Sequence, residues 1–350
     1  MSKRTPIQIL RVIMAMVAVV CALVFVPRDI VWAWLAPMPE TIAAQVDEAP
    51  QHGLDGIIVY VDQAGQPPQG YAAGWKDRDA RLSADPQALF KIASISKLYI
   101  AAATAKLVAA QQLSLDRTLA EYLPDMAGKI VNADRVTLRQ MVQHRSGLPN
   151  YSDHPDYPWG EPYKDNRGPL ELVVQMPADF EPGTDYRYSN TNYWLLGQIL
   201  DATLGYSHHR YIKEQILDPL GLAHTYSLLS EVDLDKMMSG YFVGYGPAIT
   251  TNDFIHPGGS MVATAEDVAV FLRALNDGTL LNEEEQAIYS SLYEYEHTGL
   301  LPGYSSIARY HRDIDAVVVQ FVNTNGGHTW TITEIIYSRI LKLLRRQAGG

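Results

Sequence analysis

Ser94-Ile95-Ser96-Lys97 is the most informative stretch of this chain, because it places a nucleophile and a base at helical spacing. Residues 92–110 are rich in alanine and contain neither glycine nor proline, so the sequence predicts a helix there. Residues three apart are neighbours on a helix, which puts the Lys97 amine beside the Ser94 hydroxyl. A serine hydroxyl becomes a good nucleophile only when a base takes its proton, and a lysine kept neutral by burial can be that base. The same pattern also fits an N-capping serine with a solvated lysine.

Two later fragments add groups that a serine nucleophile needs. Tyr188-Ser189-Asn190 lies in a polar, aromatic loop in which alternate residues point the same way, so its first and last residues can face one cleft. A tyrosine hydroxyl can relay protons, and an asparagine amide can orient a substrate carbonyl. His297-Thr298-Gly299 precedes segments that predict an edge strand, a turn and a return strand, and Gly299 would let a substrate backbone approach that edge. The first fragment also fits an aromatic turn capping the next helix.

The order of these three motifs resembles that of the serine β-lactamase and penicillin-binding-protein superfamily, and it is most similar to the branch of class C β-lactamases, DD-peptidases and esterases. The similarity extends from about residue 53 to the C-terminus, and four flanking stretches support it: residues 113–124, 144–151, 257–267 and 321–327. The resemblance implies an antiparallel sheet flanked by helices, with the active site between two lobes.

The resemblance also implies catalytic roles. Ser94 would attack a carbonyl and form an acyl-enzyme, Lys97 would accept or shuttle its proton, and Tyr188 would complete the relay and protonate the leaving group. The oxyanion hole would consist of the backbone N–H groups of Ser94 and Leu300, and paired donors of this kind contribute about 3 kcal/mol each. No metal and no organic cofactor is expected.

The substrate-binding residues implied by the resemblance are Asn190, which would hold a substrate amide, and the edge segment His297-Thr298-Gly299. A histidine stands where many β-lactamases have a lysine. With a pKa near 6.5 it would carry part of a charge at neutral pH, so carboxylate substrates should bind more tightly as the pH falls through its titration. His-Thr-Gly resembles the corresponding motif of the DD-peptidases and D-amino-acid peptidases of this superfamily. The resemblance therefore implies a D-alanyl-D-alanine carboxypeptidase-like peptidase first, an esterase or β-lactamase as the alternative, and a non-catalytic penicillin-binding-like scaffold as the least favoured interpretation.

The pattern along the chain predicts an α/β fold with an inserted, mainly helical lobe. Strands are expected at residues 57–61 and 70–75 and again between residues 300 and 322. Helices are expected at residues 264–276, 283–293 and 331–346. The predicted hydrolase domain covers residues 53–350, with an α/β lobe formed by residues 53–112 and 258–350 and a helical lobe formed by residues 113–257.

The first 52 residues are predicted to lie outside this domain. Residues 7–26 are apolar apart from Gln8 and Arg11, and they are long enough to span a bilayer as a helix. Positive charges in residues 1–6 predict a cytoplasmic tail, and hence a catalytic domain on the extracytoplasmic, periplasmic side of the inner membrane. Residues 27–52 would be a linker. A cleaved signal peptide is the alternative to a retained anchor.

Composition excludes some classes of function. A formal net charge of −11 argues against nucleic acid as a partner but does not identify a substrate. The resemblance implies a small-molecule or peptide substrate with an acyl carbonyl. Cys21 is the one cysteine, so an intramolecular disulfide is excluded. The 10 histidines include the pair His208-His209, but their spacing matches no metal-binding motif.

Overall fold

The computed structural model describes residues 6–25, 27–165, 167–174 and 176–348. The α-helices are α1 (Pro6–Phe25), α2 (Arg28–Leu35), α3 (Ile42–Glu48), α4 (Ser96–Ala109), α5 (Leu119–Tyr122), α6 (Leu138–Val142), α7 (Arg167–Val173), α8 (Asn190–Leu204), α9 (His208–Ile212), α10 (Ala265–Asp277), α11 (Glu283–Leu292) and α12 (Thr329–Ala348). The strands are β1 (Gly56–Gln63), β2 (Gln69–Asp77), β3 (Leu82–Ser83), β4 (Phe90–Lys91), β5 (Thr225–Tyr226), β6 (Tyr241–Phe242), β7 (Val262–Ala263), β8 (His297–Leu301), β9 (Tyr304–His311), β10 (Ala316–Val322) and β11 (Thr324–Asn325).

The central sheet joins the two ends of the chain. Within the described residues it has six strands in the order β3-β2-β1-β10-β9-β8, and every neighbouring pair is antiparallel. The middle strands β1 and β10 are apolar on both faces because helices cover both sides of the sheet. Ile57 and Val318 pack towards α12, whereas Ile58 and Val319 pack towards α4 and α10. This arrangement confirms the predicted antiparallel sheet flanked by helices.

Helix α4 lies in the hydrophobic core and is surrounded by other helices. Most of its residues are buried, as expected for a helix that is apolar all round. Its alanines allow close contact with α8, α9 and α11, which surround it. The region between α4 and α10 contains the helices α5–α9 joined by loops and short strands, so the predicted inserted lobe is less regular than its apolar segments suggested. The helix predicted at residues 264–276 is α10, and Thr264 caps it by accepting from the Asp267 N–H.

Residues 27–52, which the prolines led us to predict as a linker, are folded onto the domain. They form α2, α3 and a 3₁₀ turn at Ala49–His52. Ile42 and Val46 are buried in the same cluster as residues of α12. Arg339 on α12 donates to the backbone carbonyls of Ala36 and Pro37 at 2.8 and 2.6 Å. The prolines of this segment lie between or at the ends of its short helices. The apolar residues of these helices pack against the domain, so the segment is not a linker.

The predicted membrane anchor over residues 7–26 is wrong. In the part of the chain that the structure describes, no helix has both the length and the apolar character that a membrane crossing requires. The expected inner-membrane, single-pass location with a periplasmic domain is therefore not supported. The positive charges of residues 1–5, on which the cytoplasmic tail was predicted, lie outside the described residues.

Candidate active site

Ser94 lies in a tight turn that leads into α4. The sequence predicted one continuous helix from residue 92, but a 3₁₀ turn at Ala93–Ile95 precedes the α-helix. Ala93 has φ of 51°, a left-handed conformation that is costly for a residue with a side chain. The Ser96 hydroxyl donates to the Ala93 carbonyl at 2.6 Å and holds the turn in place. The turn thereby presents Ser94 at the N-terminal end of a rigid, buried helix.

Lys97 is the centre of the polar network. Its Nζ contacts Ser94 Oγ at 3.1 Å, Asn190 Oδ1 at 2.9 Å and the Gly258 carbonyl at 2.6 Å. The side chain is completely buried, and this burial lowers the pKa of Lys97 to about 7. The neutral amine is therefore well populated at neutral pH, which is the condition for a lysine to act as a base. A Cβ at Gly258 would lie 2.8 Å from Tyr193 Cβ and 2.9 Å from Lys97 Nζ, so a larger residue here would displace these side chains.

Tyr188 contacts the same hydroxyl. Its phenolic oxygen lies 2.6 Å from Ser94 Oγ, and its ring centroid lies 4.9 Å from Lys97 Nζ. Burial raises the pKa of Tyr188 above its usual value, so this hydroxyl keeps its proton at neutral pH. The arrangement thus favours Lys97 as the group that accepts the Ser94 proton and Tyr188 as the group that donates one.

Tyr188→Phe tests this division of roles. The variant should fold like the wild type and bind substrate with little change, but it should lower kcat by roughly 10²-fold, because the proton donor for the leaving group is lost. Stopped-flow acylation rates with an activated ester check this. The leaving group of an activated ester needs little protonation, so the loss in acylation rate should be smaller for this ester than for an amide substrate. A change of less than about threefold with both substrates would make Tyr188 a packing residue.

Asn190 opens α8 and is held by residues that the sequence analysis did not single out. Its backbone N–H donates to Asn150 Oδ1 at 2.9 Å, and its side-chain Nδ2 donates to Ser152 Oγ at 2.9 Å. Both ends of the amide are thus engaged inside the protein, one with Lys97 and one with Ser152. Asn150 is in the flanking stretch that carried the family resemblance, but its contact with α8 depends on the tertiary fold.

His144 is a second residue that the sequence analysis left without a role. It is buried, and its ring stacks on that of Tyr188 with centroids 4.5 Å apart. Its Nδ1 accepts the Ser189 N–H at 3.1 Å. Burial and the nearby Lys97 lower the pKa of His144 far below its usual value, so the ring is neutral. Its backbone carbonyl also accepts the Arg187 N–H at 3.0 Å, so His144 supports the Tyr188 loop through packing and two hydrogen bonds.

His297 lies on the edge strand β8, as predicted, but both nitrogens of its ring have partners within the protein. Its Nε2 pairs with the Tyr293 hydroxyl at 2.9 Å, and its Nδ1 contacts the Thr298 carbonyl. A carbonyl only accepts, so Nδ1 carries the proton and Nε2 accepts from Tyr293. Burial, together with Lys97, lowers the pKa of His297 to about 4. The ring is therefore neutral above about pH 4, whereas the sequence analysis expected a titration near 6.5.

Gly299 has a packing role that differs from the expected one. A Cβ here would lie 2.3 Å from both the Ile92 carbonyl and Ser306 Oγ, so only glycine lets β8 pack against the turn that carries Ser94. As a result Leu300, the predicted second oxyanion donor, lines the same cavity as Ser94. Thr298 pairs with Ile307 in the sheet.

The cavity at Ser94 is small, and its lining mixes aromatic, apolar and polar residues. It has a volume of about 50 Å³. It is lined by Ala93, Ser94, Tyr151, Ser152, Tyr157, Trp159, Asn190, Phe254, His256, Gly258, Gly259, Leu300 and Leu301. None of these described lining residues is an acid, a lysine or an arginine. In the described part of the chain, no group of histidine, cysteine or acidic side chains could hold a metal ion.

Comparison with known proteins gives this geometry a family context. The profile of the family described as Beta-lactamase matches residues 38–294, well over half of the chain. A putative D-alanyl-D-alanine carboxypeptidase of Escherichia coli K12 is 31% identical over 144 residues, which cover 39% of this chain and 33% of that protein. Protein flp of Staphylococcus aureus is 24% identical over 268 residues, which cover 73% of this chain and 52% of flp. The matches thus span about a third and about half of these relatives.

A solved structure shares the fold. The D-amino acid amidase from Ochrobactrum anthropi SV3, complexed with L-phenylalanine, superposes with a TM-score of 0.78 at 22% sequence identity. The superposition covers 87% of this chain and 98% of the amidase. At this level of identity the likeness supports the β-lactamase/transpeptidase-like fold that the motifs predicted.

Proposed function

The chain belongs to the β-lactamase family, and on this premise we propose that it is a serine hydrolase that cleaves uncharged esters and amides through an acyl-enzyme on Ser94. The observation that carries the proposal is the contact of Ser94 Oγ with both Lys97 Nζ, at 3.1 Å, and the Tyr188 hydroxyl, at 2.6 Å. A base and a proton donor that both contact one hydroxyl are what acyl transfer requires.

The proposed reaction proceeds in two steps. Neutral Lys97 takes the Ser94 proton as Oγ attacks the carbonyl, and the resulting oxyanion lies between the backbone N–H groups of Ser94 and Leu300. Tyr188 donates its proton to the leaving alcohol or amine and is reprotonated from Lys97. A water molecule then attacks the acyl-enzyme, its proton returns through the same groups to Ser94 Oγ, and the acid is released.

The charge of the cavity supports an uncharged substrate. A carboxylate that leaves water needs a cation or several donors, and without them its burial is unfavourable. The described lining residues include no lysine or arginine, burial lowers the pKa of the lining His256 to about 4, and Lys97 beside Ser94 is only partly charged at neutral pH. His297, which stands where a lysine would supply one, is neutral and uses both ring nitrogens within the protein. We therefore place esters and amides without a nearby carboxylate ahead of D-alanyl peptides and β-lactams.

A D-alanyl-D-alanine carboxypeptidase is the second candidate. It was the first expectation from the motifs, and the similarity to the putative carboxypeptidase of Escherichia coli favours it. The family's hydrolytic residues Ser94, Lys97 and Tyr188 are all present and in contact, which supports an enzyme over a non-catalytic scaffold.

A matched substrate pair separates the two candidates. For a dipeptide-like substrate with a terminal carboxylate and for its methyl ester, kcat/KM should favour the methyl ester by about tenfold or more, because a buried carboxylate lacks a partner. His297 is already neutral above about pH 4, so the preference should not change between pH 5.5 and 8 on its account. His297→Lys should raise kcat/KM for the carboxylate by about tenfold and change the ester by less than about threefold.

The neutral variant His297→Gln is the control and should keep the wild-type preference. The opposite result would be a wild-type kcat/KM for the carboxylate that rises as the pH falls through 6.5, with no such rise in His297→Gln. That result would favour the carboxypeptidase. It would also show that His297 recognises the carboxylate.

A further inference from the structure

An apolar groove adjoins the catalytic cavity and is not explained by the chemistry at Ser94. Its volume is about 760 Å³, and it is lined by Trp159, Gly160, Phe242, Val243, Gly244, Tyr245, Ala248, Ile249, Thr251, Asn252, Leu300, Leu301, Pro302 and Asn325. Tyr245 is 56% exposed and Trp159 is 41% exposed. Clustered exposed apolar side chains of this kind mark binding surfaces in soluble proteins. None of the described lining residues is formally charged.

Hydrogen bonds hold the walls of the groove in place. Strand β6, which carries Phe242, pairs with β11, and the Val243 N–H donates to the Asn325 carbonyl at 2.8 Å. On another wall, the buried Lys91 donates to the Asn252 carbonyl at 2.6 Å. The Gly246 carbonyl accepts from Arg78 at 3.0 Å, which ties down the loop after Tyr245. A preformed groove binds a flexible apolar chain with less loss of protein entropy than a mobile one.

The groove borders the catalytic cavity. Trp159, Leu300 and Leu301 line both. The catalytic cavity, at about 50 Å³, has room for only a few atoms of a substrate. Any longer substituent at the reacting carbonyl must therefore leave the cavity, and the groove is the apolar exit that shares its walls.

The direction of β8 indicates which half of the substrate enters the groove. The strand begins at His297, whose ring centroid lies 6.3 Å from that of Tyr188. Tyr188 is the proton donor, so the leaving group lies at this beginning of the strand. The groove opens at the opposite end, beside Leu300, Leu301 and Pro302. The group that enters it is therefore the acyl chain, on the other side of the carbonyl.

We propose that the groove binds the aliphatic acyl chain of the substrate, so that the enzyme acts preferentially on esters or amides of medium-length to long fatty acids. This proposal rests on the proposed hydrolase function and names its substrate class. Each methylene buried in an apolar groove should improve kcat/KM by about fourfold. The gain should end when the chain fills the groove.

Two ester series test the proposal. In the acyl series, 4-nitrophenyl acetate, butanoate, hexanoate and octanoate, kcat/KM should rise with each methylene. In the alcohol series, the methyl, butyl and octyl esters of butanoic acid, the same carbons lie on the leaving side and kcat/KM should vary by less than about threefold. A flat acyl series, or a steeper rise in the alcohol series, would overturn the assignment.

Variants link the effect to the groove. Tyr245→Asp places a charge in its wall and should lower kcat/KM for the octanoate by at least about tenfold. The ratio of octanoate to acetate turnover is the readout, so a general loss of folded protein cancels. Leu234→Asp, at an exposed apolar residue outside the groove, is the matched control and should keep the wild-type ratio. An unchanged ratio in Tyr245→Asp would contradict the proposal.

A binding measurement separates this proposal from the proposed function. In Ser94→Ala, calorimetry should show that methyl octanoate binds at least about tenfold more tightly than methyl butanoate. The added substitution Tyr245→Asp should remove this difference. If the wild type hydrolyses no ester but the difference is present, the hydrolase proposal fails and the groove assignment stands. Equal affinities for both esters would refute the groove assignment whatever the turnover.

Discussion

Ser94→Ala should abolish covalent labelling by a fluorophosphonate probe and lower kcat/KM for an activated ester by about 10⁴-fold or more. Without Oγ, no acyl-enzyme can form, and only the binding and polarisation of the carbonyl remain. Ser94 is half-buried and lies in contact with Lys97 and Tyr188, so the smaller side chain should leave the turn and α4 intact. Labelling followed by peptide mapping, together with steady-state kinetics, checks the result.

Ser96→Ala is the matched control for that experiment. Ser96 is buried, and its hydroxyl donates to the Ala93 carbonyl, so it faces away from the reacting groups. This variant should retain labelling and lose less than about tenfold in rate, because its effect is limited to the geometry of the turn. Equal labelling of Ser94→Ala and wild type, or a labelled peptide that carries the probe on Ser96, would refute Ser94 as the nucleophile.

Lys97→Met should lower kcat/KM by about 10³-fold and remove the acidic limb of the pH–rate profile. Burial lowers the pKa of Lys97 to about 7, so the neutral, basic form predominates above pH 7. In the wild type, kcat/KM for a neutral ester should thus fall about tenfold for each pH unit below that value. Methionine has a similar length but no proton-accepting amine, and the remaining rate should be nearly independent of pH between 5.5 and 8.

Lys91→Met is the control for Lys97→Met, because Lys91 is a second buried lysine with a lowered pKa. Burial also lowers the pKa of Lys91 to about 7, although Asp253 partly opposes this shift. Lys91 contacts the Asn252 carbonyl and none of the reacting groups, so its variant should keep the acidic limb with an acetate ester. If the acidic limb persisted in Lys97→Met and vanished in Lys91→Met, the base would have been assigned to the wrong lysine.

Local patterns in the sequence were sufficient for most elements of the fold and for the residues that the structure brings together around Ser94. The spacing of Ser94 and Lys97 gave the correct contact because backbone geometry alone relates residues three apart at the start of a helix. The apolar runs of β1 and β10 and the Thr264 cap of α10 were equally local signals. Even so, the turn before α4 was missed, since the left-handed Ala93 depends on the hydrogen bond from Ser96.

The chemical state of the site was decided by the tertiary structure. The pKa of His297 depends on its burial beside Lys97, a residue 200 positions away, and its ring is committed by Tyr293 and Thr298. Local sequence patterns therefore could not show that the pKa of His297 is lowered to about 4. The same holds for Gly299, whose missing Cβ accommodates the Ile92 carbonyl, and for residues 27–52, which pack on α12 at the other end of the chain. Periodicity and local backbone preference are short-range properties of a sequence, whereas desolvation and close packing arise only when distant segments meet.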